Sequence, residues 1–373
     1  MITALYNIQL ISDGTITTNK AVLIEDEQII AVIPDNTIPQ EAKTINLDGA
    51  YLAPGLIDLQ IYGSGTEFFG GTPTASALYE MEENLLKQGT TGFFATIATN
   101  SNTIIEQGIS IAKNYTGKGN FWGLHLEGPY INPKRRGAHP EEFIKKATLS
   151  EIKGWVEKGE GKIKMITLAP DLQDDEVLDY LKNQGIILSS GHSNATYSEG
   201  KTFLNKQIHA VTHLYNAMPP MHHREPGYIP AIFEAKPYTS IVADGVHVDF
   251  AMIRLAKREL GNKLFLITDA VTSTNQGAYR HKFEANRYVM PDGTLSGSSL
   301  TMLKAVKNCV KQVDIELAEA VNMASLYPAQ LIGEVKKGKI EKGFDADMIV
   351  FTPSFEVKST IYKGNLNNYN IKF

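Results

Sequence analysis

Glu127, His192, His213 and Asp269 are residue types that bind metal ions or move protons, and each follows a short run of branched and aromatic residues. A carboxylate with two imidazoles makes a three-ligand site for a divalent transition metal, with room left for water. A further aspartate at the same rim could serve as general base. Any one of these residues could be explained by local hydrogen bonding, but four from four separate segments are harder to explain as packing.

The run "THLYNAMPPMHHREPG" (212–227) adds other chemistry. His213 stands where its strand ends and is the metal candidate. Asn216 and Ala217 follow in the next loop, where backbone N–H groups can hold an anion. Arg224 offers a planar fork suited to phosphate or carboxylate. His222 and His223 read as loop residues. Elsewhere, His125 shares a strand face with Glu127 and reads as buried support. His209 opens its strand and reads as structural. His247 in "VADGVHV" is expected to point into the site, and His139 in "KRRGAHP" is either a substrate contact or a surface residue.

What positions these residues is an alternation of strands and helices. Strand candidates lie at 55–62, 92–99, 121–128, 162–170, 185–192, 209–216, 238–245 and 263–270. They are rich in branched and aromatic residues, as strands buried on both faces should be. The helical patterns between them stop at Gly89, Gly185 and Gly261, residues suited to the left-handed cap. Thr148 and Glu151 have capping-box spacing. Eight such repeats predict a (β/α)8 TIM-like barrel, whose strand ends carry the active site. An open doubly wound sheet is the rival, but no G-x-G-x-x-G follows the first strand. Both ends of the chain alternate apolar and polar residues around turns such as Asp13-Gly14, which predicts antiparallel strands. We therefore expect a small β-sandwich domain from residues 1–52 and 345–373, and a barrel domain from 53–344.

The net charge of −5 speaks against nucleic-acid or membrane-surface binding, and an anionic substrate would need a local positive group. The single cysteine, Cys309, lies in an apparent helix and reads as core. Asp13 interrupts the N-terminal stretch before a membrane-length apolar run develops, so a cytoplasmic protein is the simplest expectation.

The segments "HLEGP", "HLYNAM", "REPG", "LITDA" and "GFDADMIVF" make the chain resemble the amidohydrolase superfamily, most closely its members that deacetylate amino sugar phosphates. The resemblance implies a hydrolytic site with one divalent metal ion per chain on Glu127, His192 and His213, zinc first, with iron, cobalt or manganese acceptable. It implies that Asp269 takes a proton from water and returns it to the departing amine. The phosphate would be held by the Asn216–Ala217 backbone, His247 and Arg224, the arginine reaching the neighbouring site of a homodimer. His139 would touch the sugar or the developing oxyanion, Ala138 would contact the substrate beside it, and Leu295, Ser296 and Gly297 would line the acetyl end. The implied substrate is an N-acetyl hexosamine 6-phosphate of gluco or, alternatively, galacto configuration. A non-catalytic scaffold of the same family would be expected to lose metal ligands, and all are present here. Where most of the superfamily has His-x-His on the first strand, this chain has Gln60 and Tyr62. Gln60 is a weak ligand, so it implies at most a loose second-metal or water site.

Overall fold

The computed structural model describes residues 1–368; residues 369–373, the end of the segment assigned to the small domain, lie outside the described residues. Eight strands form one sheet in chain order: Leu56–Ile61, Thr90–Ala98, Phe121–Glu127, Ile163–Leu168, Ile187–Ser190, Ala210–Val211, Tyr238–Val242 and Leu264–Ile267. The pairings from second to eighth strand are parallel. The first and eighth strands meet through a parallel bridge between Ile61 and Ala270. Backbone bonds from Asp269 to Gln60 (3.0 Å) and from Tyr62 to Ala270 (2.9 Å) reinforce it. The sheet therefore closes as the expected barrel, and the open-sheet rival is excluded. All nine residues of the second strand are buried, as a strand covered on both faces requires.

The helices expected before Gly89, Gly185 and Gly261 run Ala75–Lys87, Asp175–Asn183 and Phe250–Leu260, and each glycine has positive φ. The T-x-x-E segment singled out in the sequence, Thr148 to Glu151, forms only half a box. Thr148 accepts from the Glu151 N–H, but the Glu151 carboxylate bonds Tyr130, Asn102 and Lys145 instead of returning to the cap. The reciprocal box forms at Thr196 and Glu199, where no such partners compete.

The strands also stop short of the expected ends. The fifth, sixth and eighth end two residues before His192, His213 and Asp269, whose φ values are +50°, +35° and +54°. A left-handed residue breaks the ladder, so each of these side chains sits on a turn just above its strand. After the eighth strand comes an element the sequence reading missed, a three-stranded antiparallel sheet of Lys282–Glu284, Arg287–Val289 and Leu295–Ser298.

By their contacts the residues fall into two compact units. One comprises Met1–Asp58, Glu83–Gly92 and, among the described residues, 301–368; the other comprises Leu59–Glu82 and Phe93–Leu300. The first contains two sheets built from both ends of the chain. The four-stranded sheet is ordered Gln28–Pro34, Lys20–Glu25, Thr3–Tyr6, Lys43–Asn46. The six-stranded one runs from Asn365–Asn368 through Met348–Phe351 and Tyr51–Pro54 to Thr15–Thr17. Leu5, Val22 and Ile29 of one sheet and Leu10, Leu52, Met348 and Val350 of the other share one buried cluster. Each such side chain contributes about 1.5–3 kcal/mol on burial. Asp13 and Gly14 both have positive φ in the tight turn between Gln9–Ser12 and Thr15–Thr17. Cys309 is buried, and no helix among the described residues is long and apolar enough to cross a membrane.

Candidate active site

Glu127, the last residue of the third strand, is the centre of the site and is buried. Three imidazoles point an Nε2 at it: His213 at 2.9 Å and His192 at 3.3 Å from Oε1, and His139 at 3.2 Å from Oε2. The His192 and His213 Nε2 atoms are 3.1 Å apart. Glu127, His139 and His192 can each present one ligand atom within 4.8 Å of the others, and His213 adjoins that group. His139 thus resolves to a buried member of the cluster rather than a surface residue.

The hydrogen bonds around the cluster decide which ring nitrogens carry protons. His192 Nδ1 faces the Arg135 carbonyl at 2.7 Å and must be the N–H, which leaves a lone pair on Nε2. The Thr99 hydroxyl donates to the Glu127 carbonyl (3.3 Å) and so accepts from His139 Nδ1 (2.7 Å), leaving His139 Nε2 with a lone pair too. Two lone pairs therefore face a carboxylate across about one hydrogen-bond length, which is repulsive unless a cation lies between them. The donor set fits a divalent metal ion of the nitrogen- and oxygen-accepting kind. Gly128 makes room for this arrangement: a Cβ there would lie 2.1 Å from the Thr99 hydroxyl, and its φ is +77°.

Charge states agree with that role. Burial by itself would raise the Glu127 carboxyl, but the imidazoles, His139 foremost, outweigh it and hold the pKa well below the usual range. Burial lowers the pKa of His139 and of His213 while the Glu127 charge pulls the other way, so each ring gives up its proton readily to a cation that takes its place. Burial and then the Glu127 charge push the Tyr62 hydroxyl far up, so it keeps its proton and donates it to Glu127 Oε2. Gln60 Nε2 lies 3.1 Å from Glu127 Oε1, 2.9 Å from Asp269 Oδ1 and 2.9 Å from the Tyr62 hydroxyl. Gln60 is thus a buried donor joining the two carboxylates, and Tyr62 stands beside it. His125 is buried support as expected, bonded to the Leu59 carbonyl (3.0 Å) and Thr167 (2.7 Å).

A cavity of about 160 Å³ opens over the cluster. Glu127, His192, His213 and Asp269 line it together, as do Ala138, His139, Asn216, Ala217, His247, Leu295 and Ser296. Gly297 is buried against Val271, where a Cβ would come within 2.6 Å of a methyl carbon. His247 donates through Nδ1 to Asp244 (2.6 Å). Burial tends to raise the Asp244 carboxyl, but this bond and two backbone N–H groups lower it overall. One expectation needs correction: the Asn216 N–H is not available to an anion, because it closes a turn onto the His213 carbonyl (3.0 Å). Left-handed backbone at Tyr215 and Ala217 flanks that turn. Arg224 is exposed on its loop and lies off the cavity wall, as do His222 and His223. Among the described residues no lysine or arginine lines the cavity.

Sequence reasoning missed Phe68, Val271, Tyr279 and His281 on the same wall. They sit in irregular loops with no periodic pattern. Their one signal was position after the first and eighth strands, on the face of a barrel where sites form.

With the geometry in view, relatives are informative. Residues 51–366 match the model of the amidohydrolase family. The chain is 36% identical to N-acetylglucosamine-6-phosphate deacetylase of Haemophilus influenzae, over 97% of this chain and 98% of that one. It is 31% identical to the enzyme of that name from Bacillus subtilis, with 96% of each covered. The crystal structure of N-acetylglucosamine-6-phosphate deacetylase from Pasteurella multocida superposes with a TM-score of 0.94 at 33% identity, covering 99% of this chain and 100% of that one. A mutant of the Mycobacterium smegmatis enzyme, solved in complex with N-acetyl-D-glucosamine-6-phosphate, superposes at 0.88 with 26% identity, covering 98% and 99%. Closed barrel, buried Glu–His cluster and full-length similarity lead to one conclusion: the chain belongs to the amidohydrolase family, in the group formed by the N-acetylglucosamine-6-phosphate deacetylases.

Proposed function

We propose that this protein hydrolyses the acetamide of N-acetyl-D-glucosamine 6-phosphate to D-glucosamine 6-phosphate and acetate. The observation that carries the reading is the meeting of Glu127, three imidazole Nε2 atoms and Asp269 at the mouth of one cavity. Glu127, His192 and His213 would hold one divalent ion, zinc first, with His139 beside them. Such an ion supplies Lewis acidity, acidifying a water and polarising an amide carbonyl.

The chain's own groups do the rest. Asp269 takes the proton of the attacking water and returns it to the amine nitrogen as the C–N bond breaks, since amine expulsion is the difficult half of amide hydrolysis. Gln60 holds Asp269 Oδ1 in place, so the base does not rotate away from the cluster. Ala138 and His139 face the sugar, and Leu295, Ser296 and Gly297 close the acetyl end. Asn216, the Ala217 N–H and His247 meet the phosphate, whose remote binding orients the amide. A dianion on a wall without lysine or arginine lacks a counter-charge, which supports a homodimer in which Arg224 of the partner subunit completes the site. Phosphorylated sugars do not cross membranes unaided, in keeping with a cytoplasmic reaction.

The test is acetate release by metal-analysed protein from N-acetylglucosamine 6-phosphate, the unphosphorylated sugar and the galacto epimer. We expect release from the phosphorylated gluco compound with about one metal ion per chain. Release from the galacto epimer alone, or no preference for phosphate, would sink the substrate assignment. Arg224→Ala should raise KM about tenfold for the phosphorylated substrate and leave the unphosphorylated one nearly untouched; equal losses on both would mean that Arg224 does not read phosphate.

A further inference from the structure

One buried imidazole on the cavity wall is left without a hydrogen bond by the protein. His281 is 4% exposed, lines the cavity, and neither Nδ1 nor Nε2 is bonded. His139, His192 and His247 commit Nδ1 to a neighbour, and His213, whose Nδ1 also lacks a partner, bonds through Nε2 to Glu127. Only His281 among the cavity histidines has neither nitrogen bonded. A buried polar group without a partner costs about 1–3 kcal/mol, and a native fold tolerates that where the group has work to do.

The surroundings of His281 narrow what that work is. Phe68 meets the ring edge-on at 4.6 Å, Tyr279 stands at 5.6 Å and Tyr288 at 6.5 Å. Phe68 and Tyr279 line the cavity too. Ser296, also on the wall, carries a buried hydroxyl that has no partner. Burial lowers the His281 pKa to about 4, against a smaller opposing effect of the Thr272 carbonyl, which does not align as a hydrogen-bond acceptor. The ring is therefore neutral near pH 7 and presents one donor and one acceptor, the complement of a hydroxyl group. A phosphate dianion would call for a cation instead. Aromatic rings beside a single polar group suit a sugar, which shows C–H groups to one and hydroxyls to the other.

We infer that His281 is a specificity residue that hydrogen-bonds a ring hydroxyl of the sugar, while Phe68 and Tyr279 pack against the sugar's C–H groups. This rests on the deacetylase reading, which supplies the sugar. The role lies in binding: His281 is placed on the wall of the cavity and not among the groups facing Glu127.

The experiment compares wild type, His281→Phe and His281→Gln on N-acetylglucosamine 6-phosphate, its 3-deoxy and 4-deoxy analogues and its galacto epimer, with metal content measured throughout. His281→Phe keeps an aromatic ring in an aromatic pocket but removes both nitrogens. It should raise KM about tenfold, with a smaller change in kcat and wild-type metal content. It should also erase most of the wild-type preference for the intact sugar over one of the deoxy analogues. His281→Gln, which retains a donor and an acceptor, should recover part of that preference, and it keeps the question answerable should the Phe variant fold poorly. An active wild type whose variants keep the same KM and the same preferences would overturn the inference alone. A wild type that releases acetate from none of these sugars would overturn the deacetylase reading, and the inference with it.

Discussion

The floor and the wall of the cavity are organised in opposite ways. Around Glu127 most polar atoms are tied to a protein partner: His192 to Arg135, His139 to Thr99, Gln60 to both carboxylates, Tyr62 to Glu127. At His281 both ring nitrogens lack a partner and the neighbours are aromatic. A site that holds an ion must fix its ligands before the ion arrives, or the ordering cost falls on binding. A wall that recognises a hydroxyl needs only a rigid, unsaturated donor and acceptor. The contrast teaches that the groups around Glu127 are mostly held in place before anything binds, whereas His281 keeps its hydrogen-bonding capacity open toward the cavity.

The most damaging break to the floor is Asp269→Asn. Asparagine tolerates the left-handed φ of +54° and conserves shape, so metal content should stay while acetate release falls about 10³-fold. Turnover within a few-fold of wild type would remove Asp269 from the base role.

Next is a pH effect confined to the wall. An imidazole with an ordinary pKa near 6.5 unfolded and about 4 folded binds a proton only in the unfolded chain between those values. Its contribution to stability is therefore intact above about pH 6.5 and is lost as pH falls toward 4. Urea titrations from pH 7 to 4.5 should show wild type losing up to about 3 kcal/mol more than His281→Phe; parallel losses would mean that His281 titrates normally.

Thr99→Val sharpens the comparison from the other side. It removes the hydroxyl that sets the His139 tautomer, and should weaken binding of the phosphorylated sugar about tenfold with metal content unchanged. An unchanged KM for that sugar would make the Thr99 bond incidental.

The smallest effect lies outside the site, at the reciprocal cap of Tyr197–Leu204. Thr196→Ala should cost about 1 kcal/mol by denaturant unfolding with acetate release unaltered.

Much of the barrel was legible because its strands and helices announce themselves locally. Apolar runs, helix-ending glycines and the Asp13-Gly14 turn each report on a few neighbouring residues, and the elements appear where those signals lie. Glu127, His192, His213 and Asp269 were legible for a related reason, since strand ends of a barrel share one face and these four meet at one cavity. Thr148 shows the limit: its box spacing is as good as that of Thr196, but a lysine, a tyrosine and an asparagine draw Glu151 away. Likewise the Asn216 N–H looked available until the turn at His213 consumed it.

Sequence alone determined the order of strands and helices, the need for the two chain ends to share one β core, and the residue types that reach the barrel rim. These follow from periodicity and composition, which act over a few residues. Only the tertiary structure decided that His139 faces Glu127 from a loop, that Gln60 and Tyr62 tie down the carboxylates, and that His281 stands unpaired among aromatic rings. Those facts depend on which groups far apart in sequence arrive within about 3 Å of one another, and burial then sets their protonation; neither is written in any local stretch of the chain.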